Sequence, residues 1–383
     1  MKVDIMRRSD TTIIAAANSE VITDDMIKEL MIQEYKKRPL SQITDMLKLL
    51  YQNEFGCGHM VTDEANSLSM IREEARTLQD KALTGDVHEY IGDGLCRLYL
   101  RVLRHSTLKP DTLNRFFSIT ANQARGSIGS YERKTMAFVQ LCKDGVLPFD
   151  AAEVSRILTE HRSAGYPVFR HSQQYRLEYA PAYRVVDKVF CDLLSLFCGI
   201  DELTQKQERV IIAIDGGSAA GKSTLATMLD AVYSCNVFSM DDFFLRPVQR
   251  TPDRLNEPGG NIDYERFSEE VLNPLKTGRP FSYRPYNCSE QKLLGDVAVD
   301  PCQINIVEGV YSLHLRFIEA YDLKVFLNIE QTEQNRRLIE RDKELYSRFI
   351  QEWIPMEKRY FDTFQVRSKC HLTFELARKD GTA

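Results

Sequence analysis

The sequence predicts an α/β fold for its C-terminal half, a parallel sheet with flanking helices, preceded by an α-rich N-terminal domain. Three observations carry that expectation. The apolar run Val210-Ile211-Ile212-Ala213-Ile214-Asp215 leads directly into Gly216-Gly217-Ser218-Ala219-Ala220-Gly221-Lys222-Ser223-Thr224, a glycine-rich turn between a buried strand and a helix. Strand-like and helix-like segments then alternate towards the C-terminus. Before residue 203, apolar side chains recur instead at helical spacing.

Size and charge bound the rest. A chain of 383 residues exceeds one ordinary domain. Its 43% hydrophobic and 27% charged residues suit a globular protein with a sizeable core. A formal net charge of −5 gives no support for a chain that coats nucleic acid, so no such partner is expected. The nine cysteines form no C-x-x-C pair and read as reduced thiols of a cytoplasmic protein. Arg7-Arg8 ahead of Thr11-Thr12-Ile13-Ile14-Ala15-Ala16-Ala17 faintly imitates a secretory signal, but the apolar part is short and holds two threonines, so none is expected. No run approaches the roughly 18 apolar residues of a membrane span, and no membrane partner is expected.

The stretch from Gly199 to Glu208 is polar and reads as a linker or a short solvated helix, dividing the chain into residues 1–203 and 204–383. In the first part, Met26, Ile27, Leu30 and Met31, then Ile43, Met46, Leu47 and Leu50, mark helical segments punctuated by Pro39. Ala182 to Phe197 reads as another buried helix. In the second part, Leu225, Met228, Leu229 and Val232 make one apolar stripe on the helix after the glycine-rich turn. Further strands are expected at residues 237–240, 304–307, 323–329 and 371–374. Several end in residues able to hold phosphate or metal, and ligands of open α/β sheets sit at the carboxyl ends of strands.

Residues 216–224 fit the phosphate-binding pattern G-x4-G-K-[ST], which makes this a P-loop NTPase-type sheet. Its glycines let successive N–H groups turn inward on nucleotide phosphates, with the positive end of the next helix behind them. Lys222 would reach the outer phosphates of ATP, and Ser223 would give its hydroxyl to Mg2+. Phe238-Ser239-Met240-Asp241-Asp242-Phe243-Phe244 runs a strand into two carboxylates. Phosphoryl transfer requires one to orient an acceptor hydroxyl and take its proton, and Asp241 is nearest the strand end; alternatively both aspartates cap the next turn. Ile304-Asn305-Ile306-Val307-Glu308 ends in an acid suited to the metal side with Ser223, or to a helix cap. Arg337 and Arg341, four apart on an expected helix, face the same way. They could offset charge on the transferring group, or form a solvated face.

With these elements in this order, residues 208–375 resemble the uridine kinase and phosphoribulokinase family of P-loop kinases. The resemblance rests on Gly216 to Thr224, Asp241-Asp242-Phe243-Phe244, Glu308-Gly309-Val310 and Arg341-Asp342. It implies that Asp241 is the catalytic base, that Glu308 helps to bind magnesium, and that Arg341 belongs to a mobile lid. The departures lie on the acceptor side. Leu255-Asn256-Glu257-Pro258 stands where uridine kinases carry an aspartate and a histidine before proline, Tyr286-Asn287-Cys288 with Gln291 replaces a tyrosine-aspartate-phenylalanine segment and its histidine, and Leu338 replaces a lid arginine. Acceptor specificity stays open.

Phe281-Ser282-Tyr283-Arg284-Pro285-Tyr286 offers rings, hydroxyls and a guanidinium to an acceptor, or packs as an edge strand. Phe244, Arg284, Tyr286 and Arg337 are the substrate-side candidates. Trp353 is expected to pack the lid onto the core. In the N-terminal part, Cys57 and His59 in a glycine-flanked turn, and the His161 to Arg184 run with Arg162, Arg170, His171, Tyr175, Arg176, Tyr179 and Tyr183, suit either a second small-molecule site or a polar interface between helices. Zinc is not expected there, because no second Cys/His pair has ligand spacing.

The expected activity is an ATP- and Mg2+-dependent transfer of the γ-phosphoryl group to a hydroxyl of a small metabolite. A nucleoside is the favoured acceptor, with pantothenate, glycerate, a sugar or a sugar phosphate as alternatives. Two further readings are a regulatory ATPase or switch, and a binding protein that works through residues 1–203. For that N-terminal part, gating of the acceptor pocket, assembly into a homo-oligomer and sensing of a regulator all stay open.

Overall fold

The computed structural model describes residues 12–14, 23–78 and 83–376. Apart from 12–14, the stretch from Arg7 to Ala17 considered above as a signal lies outside the described residues. Residues 23–78 and 83–194 form one compact unit, and residues 195–376 form the other together with strand β1 (Thr12–Ile14). Among the described residues no helix is long and apolar enough to cross a membrane.

The N-terminal unit is helix-rich. Thr23 caps the helix Asp24–Lys37, its hydroxyl accepting from Met26 N–H, with acids in the first turn and lysines in the last, matching both ends of the helix dipole. The helix Ile43–Phe55 follows the turn at Pro39 and buries Met46, Leu47 and Leu50 against Ile27 and Met31. A three-stranded antiparallel sheet accompanies the helices: β2 (His88–Gly92), β3 (Leu95–Tyr99) and β4 (Tyr183–Asp187). β4 corrects the expected helix over Ala182–Phe197, where helices cover only Lys188–Asp192 and Leu194 onward. Val185 and Val186 satisfy a strand as well as a helical stripe, and pairing with Arg97 and Cys96 of β3 decides between them.

The sheet is held by charge as well as by apolar packing. Arg97 is fully buried, donating to Glu34 at 2.9 Å and to Gln52 at 3.2 Å, with its guanidinium 5.1 Å from the Tyr183 ring. Arg38 bridges Glu34 and Glu89, so each buried charge meets an opposite one. The stretch from Gly199 to Glu208, read as a linker or a short solvated helix, is helical as far as Lys206 but partly buried where solvation was expected. Leu194–Lys206 is helical, and Ile200 and Asp201 are fully buried, with the Tyr233 hydroxyl donating to Asp201 at 3.1 Å.

In the C-terminal unit β5 (Val210–Gly216), β6 (Asn236–Ser239), β11 (Ile304–Glu308), β12 (Leu323–Ile329) and β13 (Leu372–Leu376) form a parallel sheet in the order β13-β12-β5-β11-β6, and β1 adds in parallel at the β13 edge. The strands expected at 237–240, 304–307, 323–329 and 371–374 coincide with four of these. β5 is buried along its whole length, as its unbroken aliphatic run requires. The helix Lys222–Tyr233 lays Leu225, Leu229 and Val232 inward. Two short ribbons lie outside the main sheet: β7 (Phe281–Tyr283) paired with β10 (Val297–Val299), and β8 (Tyr286–Asn287) paired with β9 (Lys292–Leu293).

Candidate active site

Because all the main strands run parallel, their carboxyl ends share one edge, and the register fixes what meets there. Glu308 pairs with Ile214 of β5 on one side and Ser239 of β6 on the other. The last residue of β11 therefore stands between the start of the glycine-rich loop and the approach to Asp241.

Gly216 opens the loop at a φ of +150°, and a Cβ there would stand 2.2 Å from the carbonyl oxygen of Leu327, so no other residue fits. The chain then turns through Gly217, Ser218, Ala219 and Ala220 to Gly221, which precedes the helix at a φ of +85°. Lys222 is buried and its ammonium donates to the Gly216 and Gly217 carbonyls, both at 2.9 Å. Ser223 and Thr224 start the helix, and the Ser223 hydroxyl donates to Glu308 at 3.2 Å.

Asp241 lies in the 3-10 turn Met240–Phe243 just past β6, and its N–H donates to the Ser239 hydroxyl. Ser239 thus caps this turn, and the Asp241 side chain stays exposed. Asp242 is half-buried. Burial, and then the neighbouring Asp241 charge, push its carboxyl up. Glu308 is pushed up too, chiefly by burial, against the opposing pull of Lys222 and hydrogen bonds from Ser239 and Ser223. Ser223 and Glu308 are a hydroxyl and a carboxylate, hard oxygen donors of the kind magnesium takes, and Lys222 is the cation whose charge opposes the burial of Glu308.

Among the lid candidates, Arg337 reaches the loop, with Nη1 donating to the Ala219 carbonyl at 3.4 Å while Nε donates to Glu333 at 2.7 Å. Arg341 sits with its guanidinium 5.3 Å from the Phe349 ring, so the two arginines do not close on one point. Trp353 packs edge-on against Phe349 and beneath Arg348.

The substrate-side candidates divide. Arg284 is engaged by Glu270, at 2.5 Å from Nη2, and Phe244 packs against the core while pairing with Ile262. Tyr286 is 4% exposed and its hydroxyl has no partner among the described residues. Cys288, just beyond Tyr286, lies within electrostatic reach of both Asp241 and Arg250.

In the N-terminal unit most side chains of the suspected second site have partners among the described residues. Cys57 donates to the His59 carbonyl at 2.8 Å, and burial pushes its thiol up, away from a reactive thiolate. His171 bridges Asp45 at 3.0 Å and the Tyr183 hydroxyl at 2.6 Å, and burial pushes it down to about 4, so it is neutral. His161 is hydrogen-bonded to the Pro167 carbonyl, Arg162 pairs with Glu132, and Arg184 pairs with Glu74. Arg176 donates to the His171 carbonyl, and the Tyr179 hydroxyl accepts from Leu40 N–H.

Two residues of the site escaped the sequence reading. Asp215, fully buried at the end of β5, accepts from Gly216 N–H, Leu313 N–H and the Tyr360 hydroxyl. A charged residue closing an aliphatic run was the available signal. Glu357, on the helix Ile354–Phe364, accepts from both the N–H and the hydroxyl of Ser218; its partner is 139 residues away and no local pattern announces it.

Fold and loop together define a P-loop NTPase-type α/β unit with a helix-rich unit before it. No family model matches the chain. Over about half its length it is similar to uridine kinase and phosphoribulokinase-like P-loop kinases. The uridine/cytidine kinase UKL1, chloroplastic, of Arabidopsis thaliana is 24% identical over 190 residues, which are 46% of this chain and 39% of that protein. The chain thus spans well under half the length of this curated relative. A solved structure described as a possible uridine kinase from Bacillus stearothermophilus is 21% identical, with a TM-score of 0.36, covering 47% of this chain and 98% of that one. A shikimate kinase from Bacteroides thetaiotaomicron is 16% identical, with a TM-score of 0.22, over 43% of this chain and 86% of its own.

Proposed function

We propose that the C-terminal unit is a small-molecule kinase that moves the γ-phosphoryl group of ATP to a hydroxyl, with a nucleoside as the favoured acceptor. One observation carries this reading. The Ser223–Glu308 pair at the end of β11 lies within electrostatic reach of the exposed Asp241, just past the neighbouring strand β6, so a metal-side carboxylate and an acceptor-side carboxylate stand at adjacent strand ends beside the loop.

In this reading the loop amides from Gly217 to Thr224 hold the phosphates, and Lys222 turns from the Gly216 and Gly217 carbonyls to the outer ones. Ser223 and Glu308 would hold magnesium, which would supply positive charge to offset that of the outer phosphates. Asp241 orients the acceptor hydroxyl and takes its proton as the new P–O bond forms. Arg337 is already over the loop at Ala219, while Arg341 has to leave Phe349 to reach the transferring group. Among the described residues Lys222 is the cation whose charge acts on all three acids, Asp215, Glu308 and Glu357, so added positive charge from metal and lid is needed for phosphates to settle there.

The nucleoside assignment draws support from the name of the Arabidopsis relative, while Asn256, Asn287 and Gln291 depart from the uridine kinase pattern on the acceptor side. Formation of ADP from ATP, followed with magnesium over a panel of nucleosides, sugars, pantothenate, glycerate and sugar phosphates, tests it. Stimulation by uridine or cytidine above all others is expected. Hydrolysis of the same rate with every acceptor and with none would overturn the kinase reading.

A further inference from the structure

The phosphate loop already holds an anion, supplied by the chain. Glu357 is 5% exposed, and its carboxylate accepts from Ser218 N–H at 3.0 Å and from the Ser218 hydroxyl at 2.5 Å. Burial pushes this carboxyl up, and the groups that face it electrostatically are Lys222, Asp241 and Tyr311. Its electrostatic neighbours thus include the lysine meant for outer phosphates and the carboxylate meant for the acceptor, and its seat is the N–H and hydroxyl of Ser218 in the loop itself.

The elements that bring it there flank the lid. Glu357 sits in the first turn of the helix Ile354–Phe364, directly after the segment 342–353. From the other flank, the helix Gln331–Arg341, Gln334 donates to the Ser218 carbonyl at 2.8 Å and Arg337 reaches the Ala219 carbonyl. Both stems of the lid are thus hydrogen-bonded to Ser218 or Ala219 of the loop, and Lys222 is occupied by the loop's own carbonyls.

We propose that Glu357 is an internal ligand of the phosphate loop, seated where an outer phosphate of the nucleotide belongs and exchanged for it on binding. The proposal rests on the ATP site argued above. Two anions cannot share the Ser218 donors, because a phosphate beside a buried carboxylate meets like-charge repulsion that water screens poorly. When phosphate takes the Ser218 N–H, Glu357 withdraws, and the stem helix that carries it is freed from the loop. Occupancy of the loop is thereby communicated to one end of the lid, while Gln334 and Arg337 keep the other end in place.

The test is the affinity of the full chain for ATP with magnesium, measured by titration calorimetry without acceptor. Glu357→Gln keeps the size of the side chain and removes its charge, and is expected to tighten ATP binding by about tenfold. Ser218→Ala deletes only the hydroxyl half of the latch and is expected to tighten it by about threefold. Thermal unfolding checks that each variant is folded; should Glu357→Gln lose its structure, Ser218→Ala decides alone. Unchanged or weaker binding in the folded variants overturns the latch and leaves the kinase reading standing. Failure of the wild-type chain to bind ATP overturns both.

Discussion

Asp215 gives the site a pH dependence whose sign and size can be worked out. Its carboxyl is fully buried beneath the start of the loop, and burial outweighs three accepted hydrogen bonds and the charge of Lys222 to push it from 3.8 up to about 6. Between about pH 4 and about pH 6 the folded chain keeps a proton on Asp215 that the unfolded chain has released. The native state then binds more protons, so this group's contribution to stability is present below pH 4 and falls as pH rises through 6. A gap of about two pH units corresponds to about 3 kcal/mol. Asp215→Asn carries no charge at any pH and removes that slope, but leaves one of the Gly216 and Leu313 N–H groups without its acceptor, at about 1–3 kcal/mol. The variant should be the less stable protein at pH 4, and the difference should shift by about 3 kcal/mol in its favour by pH 7. Urea unfolding followed by the fluorescence of Trp353, the single tryptophan, reads the C-terminal unit directly. A difference that stays constant over this range, or shifts towards the wild type, would refute the reasoning.

Three further perturbations address the loop, the metal side and the lid. Gly216→Ala places a Cβ 2.2 Å from the Leu327 carbonyl at a φ of +150°, and should cost about 3 kcal/mol in thermal unfolding while abolishing ATP binding. Glu308→Gln should raise the magnesium concentration for half-maximal activity by about tenfold or more, seen in a metal titration at saturating ATP. Arg341→Ala should lower kcat by about a hundredfold with little change in KM for ATP, because its guanidinium rests on Phe349 and, in the proposed mechanism, would reach the phosphates only during transfer.

Much of the C-terminal unit was legible because its signals are local. An aliphatic run, a glycine turn and a lysine within fifteen residues identify β5 and the loop, and acids at the ends of apolar runs mark Asp241 and Glu308. The N-terminal sheet was not, because β3 carries Arg97 in its centre, and that charge is neutralised by Glu34, 63 residues away. Periodicity counts Arg97 as polar, whereas the fold buries it completely. For Tyr183–Asp187 the valines fit both periods, and only the partner strand decides. Asp215 was visible but was read as the last residue of the strand rather than as a buried acceptor. Glu357 was invisible in principle, since what defines it is the Ser218 N–H of the loop, to which a helix 139 residues further along the chain brings its carboxylate.

The central claim is that Asp241 delivers an acceptor hydroxyl to a phosphoryl group held by the loop. Its most direct test is transfer of label from γ-labelled ATP to the best acceptor of the panel, comparing wild type with Asp241→Asn alongside ATP affinity. Label should appear on the acceptor hydroxyl with the wild-type chain, and the variant should bind ATP normally while transferring about a hundredfold or more slowly. Equal transfer by the two proteins, or label released only as inorganic phosphate, would contradict the account.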